Sequence, residues 1–203
     1  MLLTICIPSI IERIDKFSLL IKKLQKQMDE HKLNNKIQII SHVDNRSVPL
    51  TYKRNIMQKS VKGKYFIHLD DDDDISDDYC LTVCNTIEYL GKDVDVITYD
   101  QIAYVNDDIF YIKCDLNQDM NSKYIGVHPV DAKRIFIRYP WQWCCFLSKK
   151  FKHVYRTDAD GNAREDVNWL RRIQLEYPKT QYNVAKVLHQ YNFQDPSQSA
   201  CQT

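Results

Sequence analysis

Five consecutive aspartates, Asp70 to Asp74, stand directly after the largely apolar segment Lys64–Leu69. Adjacent carboxylates repel one another, so several held in one place must take up protons or meet a cation or basic side chains. Lys64–Leu69, following Gly63, reads as a buried strand. Beyond the run, Ser76 predicts a helix cap, with Asp77 and Asp78 in the first turn, Cys80, Val83, Cys84, Ile87 and Leu90 on the apolar face and Gly91 as the stop. A strand, an acidic loop and a helix in that order place the carboxylates where open α/β sheets collect ligands. Hard oxygen donors select Mg²⁺, Mn²⁺ or Ca²⁺, and the first two bind phosphates with few protein ligands. The plainer reading of such a run is a solvated loop whose charges favour the helix that follows.

The flanking sequence repeats the alternation. Leu2–Ile7 reads as a central strand ending at Pro8-Ser9, and Phe17, Leu20, Ile21, Leu24 and Met28 recur at helical spacing behind Asp15 as N-cap. Ile37–Val43 predicts a second strand ending at Asp44, and a short helix from Thr51 to Val61 carries Lys53, Arg54 and Asn55. Strand, helix, strand, helix predicts an α/β domain with a mostly parallel sheet and helices on both faces. Val94–Tyr99 predicts a further strand. Ile102–Val105 and Ile109–Lys113 form a small antiparallel hairpin turned at Asn106-Asp107-Asp108, and Asp115–Pro140 reads as irregular. Glu165 and Asp166 open a last helix with Val167, Leu170, Ile173 and Tyr177 on one face and Pro178 at its end. Tyr182–Tyr191 closes the domain as a strand. One domain spans residues 1–193, and residues 194–203 read as a loose polar tail.

Composition narrows the function classes. With 28 basic and 27 acidic side chains the net charge is +1, which argues against a nucleic-acid partner or an anionic membrane gripped through bulk charge. The apolar opening MLLTICIPSII lacks a basic leader and meets charged residues at once, so it reads as a strand rather than a signal peptide, and no later stretch has the length of a membrane span. Seven cysteines without a C-x-x-C pair suggest reduced thiols and a cytoplasmic location.

Taken together, ICIPS, the acidic end of the second strand, KRN on the next helix, YFIHLDDDD, REDVNWLRRI and VLHQYNF resemble the family 2 nucleotide-sugar glycosyltransferases of the GT-A (Rossmann-like) fold. No single piece is specific; their order and spacing carry the likeness, which covers nearly the whole chain and is strongest between Pro8 and Tyr79. The resemblance implies a metal-dependent, inverting transfer from a UDP-, GDP- or dTDP-sugar to a hydroxyl of a glycan or glycoconjugate, with Mn²⁺ or Mg²⁺ as cofactor. It implies that Pro8 and Ser9 start the nucleotide loop, that Asp44 accepts from base or ribose, and that Lys53 and Arg54 face the diphosphate or the sugar. Surface ion pairing is an equal use of the last two.

In the DxD motif the resemblance selects Asp70 and Asp72, with Asp72 on the metal and Asp71 beside the nucleotide sugar; the register Asp71 and Asp73 is the alternative. It makes Asp166 the catalytic base, with Glu165 second, and His189 a third metal ligand or a diphosphate contact, against the alternative of a packed histidine. Trp141 and Trp143 suit an acceptor platform or the core equally. Cys80/Cys84 and Cys144/Cys145 read as structural. The chain departs from the family pattern in lacking a glycine-rich stretch after Asp44 and in carrying Arg164 where glycine is common. A nucleotidyltransferase of similar layout and a non-catalytic metal- or sugar-nucleotide-binding module are the rival readings. Against the first stands the absence of a basic glycine-rich loop in IPSIIERID.

Overall fold

The computed structural model describes residues 1–153 and 165–192. β1 (Leu3–Ile10) is buried at every position and pairs in parallel with β2 (Ile37–Asp44) on one edge and with β3 (Tyr65–His68) on the other. The strand runs on through Pro8 to Ile10, beyond the expected end. Pairing with β3 stops at Cys6, so the proline sits where β1 has only β2 alongside. Gly63 lets the chain re-enter the sheet against β1: a Cβ there would stand 2.5 Å from the backbone of Leu3 and of Thr4.

α1 (Ile14–Glu30) follows a single 3₁₀ turn, and Asp15 lies within its first turn rather than capping it. α2 (Leu50–Lys59) links β2 to β3. After the aspartates, β4 (Asp74–Ile75) precedes α3 (Tyr79–Tyr89), which ends at Gly91 with φ +59°. Ser76 is not the cap of α3, because the chain first makes a bridge and a turn; its hydroxyl instead donates to Asp78.

The remaining strands make the sheet mixed, not mostly parallel. β5 (Val96–Val105) is one continuous strand that forms a hairpin with β6 (Asp108–Cys114) across Asn106-Asp107, Asn106 taking φ 53°. The stretch expected to be irregular contains β7 (Lys123–Val127) and β8 (Arg134–Arg138), antiparallel to each other, with β8 parallel to β6. β7 buries none of its residues and carries a register shift at Gly126, so no buried face marked it in the sequence. β9 (Cys145–Leu147), too short for periodicity, is wedged antiparallel between β3 and β5, and α4 (Ser148–Phe151) follows it.

α5 (Glu165–Leu175) and β10 (Gln181–Asn192) complete the described chain. Along one edge β5 pairs with β10; along the other it pairs first with β9 and then with β6. Pairing therefore changes partner in the middle of β5, and the candidate site lies at that change. α5 is anchored by Trp169, whose ring meets Phe146 edge-on at 5.1 Å and Phe66 at 6.3 Å. Burying such a ring contributes about 2–3 kcal/mol, and it fixes Asp166, one turn earlier, relative to β3. Tyr177, expected on the apolar face, is exposed at φ 49°, because the helix has already ended. The polar tail lies outside the described residues. No described helix is long and apolar enough to cross a membrane.

Candidate active site

β1 delivers Ser9 to the site, β2 delivers Asp44 and β3 leads into the aspartates. Their shared parallel direction brings these three carboxyl-terminal ends together. Asp44 accepts hydrogen bonds from the Val48 N–H at 2.6 Å and from Lys53. Burial alone would raise its pKa, but these bonds hold the carboxyl below the usual range. Lys53 is buried, with Nζ donating also to the Ser9 carbonyl at 2.9 Å. Pro8, Ser9, Asp44 and Lys53 are thus one rigid corner, with the lysine turned inward.

Burial alternates along the acidic run: Asp71 and Asp73 are buried, while Asp70, Asp72 and Asp74 are partly open. Each carboxylate has a basic neighbour. Asp70 meets Arg54 and accepts from Gln142 at 3.1 Å; Asp74 meets Lys23 at 3.0 Å. Asp71 is enclosed by the Ser9 hydroxyl at 2.6 Å and Arg13 at 2.8 Å, and the second arm of Arg13 reaches Asp72 at 3.0 Å. Arg13, on the 3₁₀ turn after β1, had no signal in the sequence that ties it to the aspartates.

Asp72 remains short of compensation. Desolvation first, and then the charges of Asp70, Asp73 and Asp71, push its pKa to about 7 despite Arg13. The charged form of Asp72 is thus disfavoured, and the Asp70 and Asp72 carboxylates are hard oxygen donors of the kind Mg²⁺ and Mn²⁺ accept. Among the described residues no three His, Cys, Asp or Glu side chains are gathered as a ready metal centre. His189 meets the acidic run at Asp73. It is fully buried, with Nε2 3.0 Å from Asp73 Oδ2 and Nδ1 2.7 Å from Gln101 Nε2, and it stacks on Trp143 at 5.1 Å.

Where β5 changes partner there is a cavity of about 330 Å³ whose wall includes Asp70, Asp73, Gln142, Trp141, Trp143, Arg138, Tyr191 and Asp166. Glu165 and Asp166 diverge. Glu165 is buried 3.4 Å from Arg54, and Asp166 faces the cavity with one oxygen accepting from the Val167 N–H at 2.7 Å. Arg54, itself buried, joins Glu165, Asp70 and Gln142, so it ties the start of α5 to the acidic run from inside. Trp141 is covered by the Arg138 guanidinium, 3.6 Å from its ring centre, and burial depresses the pKa of that arginine. Trp143 is buried; its carbonyl accepts from Tyr99, whose hydroxyl lies 3.0 Å from that of Tyr79. The described cysteines are all free and buried.

Solved structures superpose on the chain over nearly its whole length. It shares the fold of S. aureus TarS. Against TarS 1–349 in complex with UDP-GlcNAc the TM-score is 0.62 at 14% identity, over 98% of this chain and 61% of that one. The complex with UDP gives 0.59 at 14% identity, over 95% and 61%, and TarS 1–349 without a named ligand gives 0.59 at 13%, over 95% and 60%. The chain thus spans about three fifths of the length of these TarS structures. No family model and no curated protein matches the sequence.

Proposed function

We propose that the chain is a glycosyltransferase of the GT-A, family 2 type that moves a sugar from a nucleoside-diphosphate-sugar to a hydroxyl of a glycan or glycoconjugate, with inversion. The observation that carries this reading is the cavity with Asp166 on its wall together with carboxylates of the acidic run. Likeness in fold to TarS, which is solved with UDP-GlcNAc, supports a nucleotide-sugar donor.

The donor nucleoside lies against the corner of Pro8, Ser9 and Asp44, with Asp44 as acceptor for a ring N–H or a ribose hydroxyl. Lys53 and Arg54 act from behind: the lysine holds Asp44, and the arginine holds Asp70. The alternation of burial favours Asp70 and Asp72 as the DxD pair, with Asp71 shaping the loop through Ser9. Asp70 and Asp72 would hold Mn²⁺ or Mg²⁺, which when bound neutralises charge on the diphosphate leaving group.

Asp166 takes the proton of the acceptor hydroxyl while the oxygen of that hydroxyl bonds to the anomeric carbon. The bond from that carbon to the diphosphate oxygen breaks, and the diphosphate leaves with the electron pair. The buried Glu165 is positioned to orient Arg54 rather than to meet an acceptor. Free, buried thiols suit a cytoplasmic setting.

The test is equilibrium binding of UDP-, GDP- and dTDP-sugars with Mn²⁺, with Mg²⁺ and with chelator, alongside release of nucleoside diphosphate. One nucleotide class is expected to bind, to weaken on chelation and to be hydrolysed slowly without acceptor. Binding without any turnover in the presence of an acceptor panel would favour a non-catalytic nucleotide-sugar-binding module instead.

A further inference from the structure

A second feature of the cavity belongs to no donor contact. Asp73 is the deepest carboxylate of the acidic run on the cavity wall; its side chain is 6% exposed. Oδ2 faces His189 Nε2 at 3.0 Å, while Oδ1 is buried with no hydrogen-bond partner among the described residues. A buried carboxylate oxygen without a donor costs stability, so its retention points to a donor that arrives with a ligand.

Behind Asp73 lies a packed histidine, His189, held by its own neighbours. Gln101 Nε2, donating to His189 Nδ1, leaves the imidazole proton on Nε2, which lies 3.0 Å from Asp73 Oδ2 but outside hydrogen-bond alignment with it. The imidazole lies 9° from parallel with Trp143, whose carbonyl is held by Tyr99. On adjacent strands, His189 stands opposite Gln101 in β5 and Ile75 in β4, so three strands fix its place.

We propose that Asp73 is a specificity-determining residue that accepts a hydrogen bond from a hydroxyl of a neutral sugar in the cavity, and that His189, packed against it, is the positioning residue that limits where its carboxylate can sit. Trp141 supplies an aromatic face for the same sugar, and Asp166 stands at the same cavity. The assignment rests on the transferase reading for its chemistry but not for its measurement, which is binding alone.

The experiment titrates the intact protein with methyl glycosides of glucose, galactose and N-acetylglucosamine, read by tryptophan fluorescence, with Mn²⁺ affinity and UDP-sugar affinity measured in parallel. At least one glycoside is expected to bind. Asp73→Asn should weaken it about tenfold, as loss of one hydrogen bond does, and by more than it weakens the UDP-sugar. His189→Gln, which keeps an N–H donor, should retain most of the affinity, whereas His189→Leu should lose it. Asp73→Asn carries the test alone where the leucine variant does not fold.

The proposal is overturned by glycoside affinity that survives Asp73→Asn, by the absence of binding for the whole panel, or by His189→Leu losing Mn²⁺ while keeping the glycoside. A protein that binds glycosides through Asp73 yet no UDP-, GDP- or dTDP-sugar keeps this assignment and loses the transferase reading. The reverse pattern does the opposite.

Discussion

Replacing Asp72 by asparagine probes the charge balance of the acidic run directly. Burial and the neighbouring aspartates raise the Asp72 pKa from 3.8 to about 7, so the folded protein disfavours the charged form by at most about 4 kcal/mol. The sign follows from linkage. Below pH ~4 the carboxyl is protonated in both states and costs nothing; as pH rises to ~7 the unfolded chain ionises first, and native stability falls; above ~7 the cost is constant. A neutral amide at this position carries no such cost, although Arg13 loses one of its two carboxylate partners. The net gain in the variant should therefore be about 1–2 kcal/mol at pH 8 and shrink steadily as pH falls to ~4.5.

Urea denaturation of both proteins from pH 4.5 to 8.5 measures the difference. Mn²⁺ or Mg²⁺ should return the missing stability to the natural sequence at pH 8 and do little for the variant. A stability difference that is flat across the pH range would refute the account of Asp72 as an under-compensated charge.

Further outcomes test the rest of the site. Asp166→Asn should bind donor as the natural sequence does and lose about a hundredfold or more in transfer, the range for loss of a general base; full transfer by that variant removes Asp166 from the role. Gly63→Ala forces a methyl against the backbone of Leu3 and Thr4 and should lower stability by about 1–3 kcal/mol, read as a fall in Tm without a change in site chemistry. Trp169→Ala, which empties the contact with Phe66 and Phe146, should cost about 3–5 kcal/mol by denaturation and should reduce transfer more than donor binding, because α5 carries Asp166.

The first half of the fold was legible because β1 and β3 are buried at every position and the helices keep a clear period. β1, β2, β3 and the helices between them appear within a few residues of their expected places. The same local logic located the hairpin of β5 and β6 from Asn106-Asp107. It failed where elements are stabilised by neighbours distant in sequence. β9 has three residues and exists because β3 and β5 flank it; β7 has no buried position to report. The mixed character of the sheet follows from these segments, so it too was hidden.

The site divides in the same way. Runs such as LDDDD and RED announce concentrated charge wherever the chain folds, since residue identity alone fixes how many carboxylates must be neutralised. Which cation meets which carboxylate is another matter: Arg13 reaches Asp71 and Asp72, Arg54 links Asp70 to Glu165, and His189 backs Asp73, each across long stretches of intervening chain. Linear sequence specifies the acidity of this protein and the strands that present it. Only the packed sheet turns Glu165 inward and Asp166 outward, because the direction of a side chain depends on what lies across the core from it, and that is a property of the tertiary contacts alone.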